Sequence, residues 1–435
     1  MSELPIPPNA DKASPRPGLR LGMPRAWFFM LLLLFVLSRL IFLFGTEGRY
    51  SDTRLYHAYF ERFEGHRSAG SSFFEAEGFE YPPLMLAVVL APGYLAGALG
   101  TADLDGYRLA FRGLMSVMDL LVFLALPFLL FALLPKHKDW ERALRLALWL
   151  VLPLTLPNLV YDRLDLPLAA MMTLSFAALV MGRFRLGAFG LGLAVALKLT
   201  PLILFVPLAF WAVRPGREEI RRELMLFAAF GLLAGFAPFS LAAGSSAFQF
   251  VSYQAARGLQ IESVPASLGL FTQLWDWKPM AIEEARAISL IFPYAEVFAR
   301  VVSAAGLLCG LAFLAQLFNR RSRLDGPQGL GFTLNAAVAL FCLALCFSKV
   351  FSPQYLLWLL PLVLTLDFPI GRFSFGMLLF GVVLVLSAVL FPEHYRALVQ
   401  LKLHAQYLLL ARNGIFVVFA VLLWRELFSE KKNAR

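Results

Sequence analysis

The sequence has few of the residues that build metal centres or disulfide frameworks. It contains three cysteines and five histidines in 435 residues. Cys309, Cys342 and Cys346 all lie in apolar segments, where free cysteines behave as small buried hydrophobic residues. The histidines are scattered and no H-x-x-x-H pair occurs, so no spacing typical of a metal site is present. We therefore predict no secreted disulfide scaffold, no metal and no other cofactor.

Charged residues and the motifs of soluble nucleotide-binding enzymes are also scarce. Only 16% of the residues are charged, whereas soluble proteins carry about 25%. The sequence has no P-loop, no Rossmann fingerprint and no G-x-S-x-G turn in a suitable context. A soluble nucleotide-sugar site therefore has no visible signature, and the composition indicates a membrane protein with short loops.

Hydrophobic residues dominate what is present. They make up 59% of the chain, with 42 phenylalanines and a mean hydropathy of +0.70. Long apolar runs recur along the whole length, and each is a candidate membrane-spanning helix. The predicted fold is an all-α polytopic membrane bundle of about 12 transmembrane helices. The runs lie near 26–44, 82–99, 107–134, 143–157, 166–181, 186–213, 224–243, 288–318, 329–348, 354–370, 372–391 and 408–427.

The formal charge of +10 comes from basic residues in short loops and at both ends of the chain. This distribution indicates positive-inside topology and no nucleic-acid partner. The basic segments 214–222 and 319–323 are predicted to face the cytoplasm. The first loop, residues 45–80, and the segments 244–287 and 348–354 are then extracytoplasmic.

The polar ends of the chain flank one predicted domain. Residues 1–25 are polar and rich in proline, which predicts a disordered cytoplasmic N-terminus. Residues 26–428 form a single integral-membrane domain, and residues 429–435 form a cytoplasmic tail. The first run lacks the small-x-small exit of a cleaved signal peptide, so we expect an uncleaved helix and a protein of the cell (inner) membrane.

The middle of the chain allows two topologies. A straight count of helices places the basic residues of 136–145 outside and Arg163 and Asp165 inside, against the positive-inside rule. In the alternative, residues 82–134 cross once in total and include a re-entrant or half-span piece. The run 186–213 then breaks at Lys198–Pro201, because proline interrupts a helix. We favour this second arrangement.

A helix is predicted in the first loop, starting near Asp52. Tyr56, Tyr59, Phe60 and Phe63 follow at helical spacing and form one aromatic stripe, which is typical of a helix lying in the membrane interface. Asp52 itself has two compatible interpretations. It is either the N-cap of this helix or a general base at the membrane surface, where lipid-linked substrates lie.

Ionisable residues at membrane depth are costly and are functional candidates by default. The alternative for each is a buried ion pair or a side chain that snorkels to the interface. Arg39 lies about one turn from its helix end, which favours snorkelling. Lys198 is far from both ends of its run, and at a helix break its ammonium would be a natural phosphate ligand. The candidates are Arg39, Arg112, Asp119, Arg163, Asp165 and Lys198.

Six segments of the chain carry most of its unusual polar residues. They are Ser51-Asp52 with Tyr56 and Tyr59, Glu80-Tyr81-Pro82-Pro83-Leu84, Arg163-Leu164-Asp165-Leu166, Gly190-Leu191-Gly192 with Ala196 to Pro201, Arg257 to Ser263, and Ser352-Pro353-Gln354-Tyr355. In this order they resemble glycosyltransferase family 87, within the C-superfamily of membrane glycosyltransferases. The resemblance covers roughly residues 38–361.

This resemblance implies a polyprenyl-phosphate sugar donor, often mannose, and a lipid or glycan acceptor outside the cytoplasm. It also implies an acidic base in the first outer loop, which is Asp52 here. Such a transfer needs cations for the departing phosphate, and Lys198, Arg257 and Arg163 are the candidates. A single base inverts the anomeric centre. The remaining predicted pocket residues are Tyr56, Glu80, Tyr81, Asp165, Gln260, Glu262, Gln354 and Tyr355.

Two other functions remain open from the sequence. One is a transporter or flippase for a lipid-linked sugar or another anionic solute, with Lys198 and Asp119 as pathway residues. The concentration of polar residues toward one face and the lack of an inverted repeat count against it. The other is a non-catalytic assembly subunit, in which Asp52 and Lys198 would tolerate substitution.

Overall fold

The computed structural model describes residues 22–44, 51–77, 79–275, 278–284, 287–326, 328–368 and 370–429. Most of the predicted N-terminal segment, most of the predicted tail and residues 45–50 of the first loop lie outside these ranges. Within them the chain is almost entirely helical, as the hydrophobic runs predict.

In the first half of the chain, the described residues form ten α-helices. Short 3-10 turns at Leu152–Thr155 and Thr200–Leu204 lie between them. The helices are α1 (Arg25–Phe44), α2 (Thr53–Ala69), α3 (Phe73–Glu77), α4 (Leu84–Ala98), α5 (Leu104–Leu133), α6 (Asp139–Val151), α7 (Pro157–Val160), α8 (Leu166–Val180), α9 (Phe184–Leu197) and α10 (Phe205–Ala212).

In the second half, the described residues form a further ten α-helices and one pair of strands. Two 3-10 turns, at Gly244–Phe248 and Leu270–Trp275, and a π-helical turn at Val389–Glu393 lie between some of them. The elements are α11 (Glu218–Ala243), α12 (Gln249–Ala256), α13 (Val264–Gly269), β1 (Met280–Glu284), β2 (Ala287–Ile291), α14 (Ala295–Asn319), α15 (Ser322–Asp325), α16 (Gly329–Phe347), α17 (Tyr355–Val363), α18 (Ile370–Ala388), α19 (Tyr395–Val399) and α20 (Leu403–Phe428).

The predicted polytopic membrane bundle is confirmed. Seven helices in the described ranges are long and apolar enough to cross a membrane, and four shorter apolar helices accompany them. Burial separates their roles, because an apolar helix is either surrounded by protein or exposed to lipid. In an apolar stretch of 18 residues in α16, 78% of the residues are buried, whereas in the corresponding stretch of α14 11% are buried. α16 therefore lies at the centre of the bundle, and α14 presents its surface outward.

The predicted helix break at Lys198 is confirmed. α9 ends at Leu197, and Lys198 adopts an extended conformation (φ −160°, ψ 134°) before the 3-10 turn that contains Pro201. Proline lacks the N–H that would continue the helix. α9 is held against α11 by close backbone contact, since a Cβ atom at Gly192 would lie 2.2 Å from the carbonyl oxygen of Ala228. Small residues permit such close approach between membrane helices.

α4 packs against the first-loop helix and is 15 residues long. Tyr94 donates a hydrogen bond to Glu64 of α2 (2.6 Å). Near the start of α5, Tyr107 donates to the carbonyl oxygen of Val89 in α4 (2.9 Å). α5 alone then runs 30 residues, or about 45 Å at 1.5 Å per residue. How residues 82–134 cross the membrane stays a prediction.

The basic segments meet at one end of the bundle. Arg142 donates to the carbonyl oxygens of Gly22, at the start of α1, and of Leu134, at the end of α5 (2.7 and 2.8 Å). Arg217 donates to the carbonyl oxygen of Leu324 (2.8 Å). Arg217 thereby joins the segment 214–222 to the residue that follows 319–323. His137 of the segment 136–145 contacts Asp367 (3.1 Å), whose charge acts on Arg323. α20 ends beside Arg323, which donates to the carbonyl oxygen of Leu427 (2.7 Å).

The strand pair β1–β2 corrects the predicted helical run at 288–318. The strands are antiparallel, with Met280 opposite Ile291, and the helix begins only at Ala295. Backbone pairing with a distant loop explains the difference. The N–H of Ile261 donates to Ile288 (2.9 Å) and that of Leu290 donates to Leu259 (2.8 Å). This tertiary pairing overrides the local preference of an apolar segment.

Three of the predicted intramembrane ionisable residues form structural ion pairs. Arg39 lies 2.9 Å from Asp119, which also accepts a hydrogen bond from Trp149 (3.0 Å), so α1, α5 and α6 are joined. The snorkelling prediction for Arg39 is wrong, because its side chain is 5% exposed. Arg112 forms a second buried pair with Asp162 (2.8 Å).

Candidate functional site

A cavity of about 760 Å³ opens at the end of the bundle away from the basic segments. It lies where α2, α4 and α17 begin and where α9, α12 and α16 end. Its wall is formed by residues of eight separate segments. They are Ser51, Asp52, Leu55, Glu80, Tyr81, Pro82, Arg163, Lys198, Leu199, Thr200, Phe250, Gln254, Arg257, Gln260, Glu262, Ala287, Leu345, Ser348, Lys349, Val350, Ser352, Pro353, Gln354, Tyr355, Phe391 and Tyr395.

Asp52 occupies the N-cap position of α2, but its side chain makes no capping hydrogen bond. Its carboxylate instead forms an ion pair with Arg163 and receives a long hydrogen bond from Tyr56 (3.4 Å). The side chain is 25% exposed. The carboxylate therefore lies on the cavity wall and remains accessible to a bound molecule.

Lys198 reaches the cavity because the helix breaks beside it. Its Nζ lies 3.7 Å from the Asp165 carboxylate and 4.3 and 4.1 Å from the ring centres of Tyr355 and Trp358. Trp358 in turn donates to Asp165 (2.6 Å). An ammonium over the face of an aromatic ring is attracted electrostatically by the ring quadrupole. One carboxylate and two rings therefore hold the Lys198 side chain beside the cavity.

Arg257 contributes a guanidinium cation with an N–H group that has no hydrogen-bond partner among the described residues. Its Nε is buried and has no hydrogen-bond partner in the described part of the chain. Its backbone is fixed by Lys349, whose Nζ donates to the carbonyl oxygens of Arg257 and Ala255 (2.6 and 3.0 Å). Because a buried guanidinium N–H without a partner is costly, this side chain is suited to receive an anion.

Glu80 also lies on the wall of the cavity. It is 8% exposed and accepts a hydrogen bond from Tyr253 (2.9 Å), while Gln254 donates to its carbonyl oxygen (2.9 Å). Burial raises the pKa of Glu80, and the Tyr253 hydrogen bond and the charge of Arg257 oppose this rise. Burial also raises the pKa of Tyr81, so this phenol stays protonated and is a donor.

The loop 257–263 is locked to the start of α17. The N–H of Gln260 donates to the carbonyl oxygen of Lys349 (2.9 Å), and the N–H of Phe351 donates to the side chain of Gln260 (3.1 Å). Gln260 and Ser352 both donate to Oε2 of Glu262 (3.0 and 3.3 Å). Burial raises the pKa of Glu262, and the charges of Arg412 and Arg163 oppose this.

Of the twelve predicted site residues, ten line this one cavity. The two exceptions, Tyr56 and Asp165, lie directly behind it and contact Asp52 and Lys198. Those on the wall are Asp52, Glu80, Tyr81, Arg163, Lys198, Arg257, Gln260, Glu262, Gln354 and Tyr355. In the described part of the chain, no group of three or more His, Cys, Asp or Glu side chains could hold a metal ion.

Some contributors were missed from the sequence. Lys349 lies just before the motif that contains Gln354 and Tyr355. No pattern in the sequence around Lys349 distinguishes it from an ordinary loop lysine. Arg412 and Asn413 stand within the apolar run 408–427. The rule that ionisable residues at membrane depth are candidates would have found Arg412.

Comparison with known proteins gives a family match and a match to a solved structure. The model of glycosyltransferase family 87 matches residues 79–346, more than half of the chain. No curated protein sequence matches. A similar solved structure is the crystal structure of ArnT from Cupriavidus metallidurans in the apo state. It is 15% identical with a TM-score of 0.47, and the match covers 92% of this chain and 77% of that one.

Proposed function

The chain belongs to glycosyltransferase family 87, and from this premise we propose how its cavity transfers a sugar. The donor is a polyprenyl-phosphate hexose, most readily mannose, and the acceptor is a lipid or glycan. Asp52 is the general base. The observation that carries this proposal is the presence of Asp52, Lys198 and Arg257 on the wall of one cavity.

In the proposed reaction, the acceptor hydroxyl gives its proton to the Asp52 carboxylate as its oxygen attacks the anomeric carbon. The bond from that carbon to the phosphate oxygen breaks, and polyprenyl phosphate leaves with the electron pair. A single displacement of this kind inverts the anomeric centre. General-base assistance is typically worth about 10²–10⁴-fold in rate.

The departing phosphate needs positive charge where its own charge develops. Lys198 supplies an ammonium fixed by Asp165 and two aromatic rings. Arg257 supplies a guanidinium whose Nε lacks a partner in the described chain. Arg163 is the third candidate, and its ion pair with Asp52 gives it the further task of orienting the base.

We propose that the cavity faces the extracytoplasmic side of the cell (inner) membrane. The basic segments lie at the other end of the bundle, and loops rich in lysine and arginine favour the cytoplasmic side. The donor lipid would then reach the cavity from the outer leaflet. Residues 26–428 act as a single domain in this proposal.

The test is the purified protein with radiolabelled polyprenyl-phosphate mannose as donor and a membrane lipid extract as acceptor. We expect Asp52→Asn to lose transfer by at least about 10²-fold while the protein remains folded in the membrane. Asp105→Asn is the matched control, because Asp105 is an exposed acid 2.9 Å from Arg108. Full activity of Asp52→Asn would refute the assignment of the base.

A further inference from the structure

Two adjacent side chains of α20 hold the loop that carries Glu262. Arg412 donates from Nη1 to the carbonyl oxygen of Glu262 (2.8 Å). Asn413 donates from Nδ2 to the carbonyl oxygens of Glu262 (3.2 Å) and Ser263 (3.1 Å) and to Ser267 (2.5 Å). Both side chains are completely or almost completely buried. The helix that carries them lies outside the segment matched by the family model.

Arg412 is a buried cation without a carboxylate in contact. No ion pair within 4.0 Å involves it in the described part of the chain, its Nε donates to Ser387 (3.2 Å), and its guanidinium lies 4.3 Å from the ring centre of Phe351. Its Nη2 is buried without a hydrogen-bond partner. A desolvated charge of this kind is costly and requires a negative group that compensates it.

Glu262 supplies this negative charge, and its carboxylate also has an oxygen without a hydrogen-bond partner. The residue is 3% exposed and lines the cavity. Its Oε2 accepts from Gln260 and Ser352, whereas its Oε1 is buried and has no hydrogen-bond partner among the described residues. An ionised carboxylate can only accept hydrogen bonds. Oε1 therefore lacks a donor, and a bound molecule could supply one once the side chain, which lies on the cavity wall, turns Oε1 toward the cavity.

We propose that Glu262 recognises the donor sugar by accepting a hydrogen bond from one of its hydroxyl groups at Oε1, and that Arg412 positions Glu262 from behind. This inference rests on the proposed function. A hydroxyl is the suitable donor, because a phosphate would be repelled by the carboxylate. A donor that lacks this hydroxyl leaves a buried charged acceptor unpaired, which is the condition for strong discrimination.

The first experiment compares wild type and Glu262→Gln on polyprenyl-phosphate mannose and on its 2-, 3-, 4- and 6-deoxy analogues. With the intact donor, we expect Glu262→Gln to lower kcat/KM by roughly 10- to 100-fold, the range for a hydrogen bond to a charged group. With one deoxy donor, wild type and variant should become nearly equal. A uniform loss on every donor, or no loss on any, would overturn the assignment.

The second experiment tests Arg412 as a positioning residue. Arg412→Lys should reduce the discrimination between the intact and the deoxy donor, in the direction seen with Glu262→Gln. Arg145→Lys is the matched control, since Arg145 is equally buried and donates to the carbonyl oxygens of Leu364 and Leu366 at the other end of the bundle (2.9 and 2.8 Å).

The outcomes separate the two proposals. If Arg412→Lys and Arg145→Lys lower stability alike and both leave the donor discrimination unchanged, Arg412 is only structural and the positioning role is refuted. If wild type transfers mannose but Glu262→Gln discriminates as wild type does, the sugar-recognition role is refuted and the proposed function stands. If wild type transfers no hexose from any polyprenyl phosphate, the proposed function itself fails.

Discussion

Arg163 forms an ion pair with Asp52, although the two residues belong to segments that are distant in the sequence. The pair joins the start of α2 to the junction before α8. It explains why Asp52 makes no capping bond in its own helix, since its carboxylate is turned toward Arg163 and the cavity. The residue at the N-cap position is thereby available for chemistry.

Arg163→Gln should lower kcat more than it raises the KM for the donor. Without the guanidinium, the long hydrogen bond from Tyr56 (3.4 Å) is the contact that still orients the Asp52 carboxylate among the described residues, and misplacing a reacting group can cost about 10²-fold in rate. Steady-state kinetics of the purified variant measures the split. Arg62→Gln, which breaks a more exposed pair with Glu77 (2.8 Å), is the control. An unchanged kcat for Arg163→Gln would contradict the orienting role.

Lys198→Met should weaken the binding of the lipid phosphate. The variant keeps the aliphatic stem over the rings of Tyr355 and Trp358 but removes the charge beside the cavity. We expect the inhibition constant of polyprenyl phosphate, the product, to rise by roughly 10- to 100-fold. Lys138→Met, an exposed lysine at the basic end, should leave it unchanged. Equal inhibition of Lys198→Met and wild type would exclude a phosphate ligand at this position.

Asp119→Asn should destabilise the fold and spare the chemistry. Asp119 is fully buried and pairs with Arg39 away from the cavity wall, and removing one partner of a buried pair costs about 3–5 kcal/mol. Thermal unfolding in detergent should show a clear decrease in Tm, with a normal kcat for the folded fraction. Glu77→Gln, at an exposed pair, should change stability by at most about 1 kcal/mol.

The same variant bears on the transporter hypothesis, which needs Asp119 as a pathway residue. If the Asp119→Asn protein is stable but no longer transports a lipid-linked sugar or another anionic solute, Asp119 is a pathway residue. That result would favour the transporter hypothesis over a purely structural ion pair.

Cysteine labelling tests the orientation of the bundle. In a Cys309→Ser background, Glu61→Cys and Trp140→Cys introduce thiols at positions that are 65% and 46% exposed. Glu61 lies on α2 near the cavity, and Trp140 lies near the basic end. A membrane-impermeant maleimide should label position 61 in intact cells and position 140 only after permeabilisation. Labelling of both positions from the same side would contradict the topology.

Long-range contacts could not be predicted from local patterns. An apolar run at 288–291 looks like the start of a helix, yet pairing with Leu259 and Ile261 makes it a strand. Arg39 looks like a snorkelling side chain because its distance to the helix end is visible in the sequence. The carboxylate that retains it, Asp119, is not visible from that segment.

The sequence by itself determined the membrane character, the helical class and the break at Lys198, because hydropathy and proline act locally and need no partner. The sequence also identified ten residues that share the cavity wall. They were recognised from the order of the motifs along the chain, because the sequence contains no information on their geometry. Only the tertiary structure decided which charges pair, that Asp52 turns to Arg163, and that Arg412 of the last helix holds the loop of Glu262. The reason is physical: the cost of a buried charge depends on its nearest partners, and those come from segments that lie far apart in the chain.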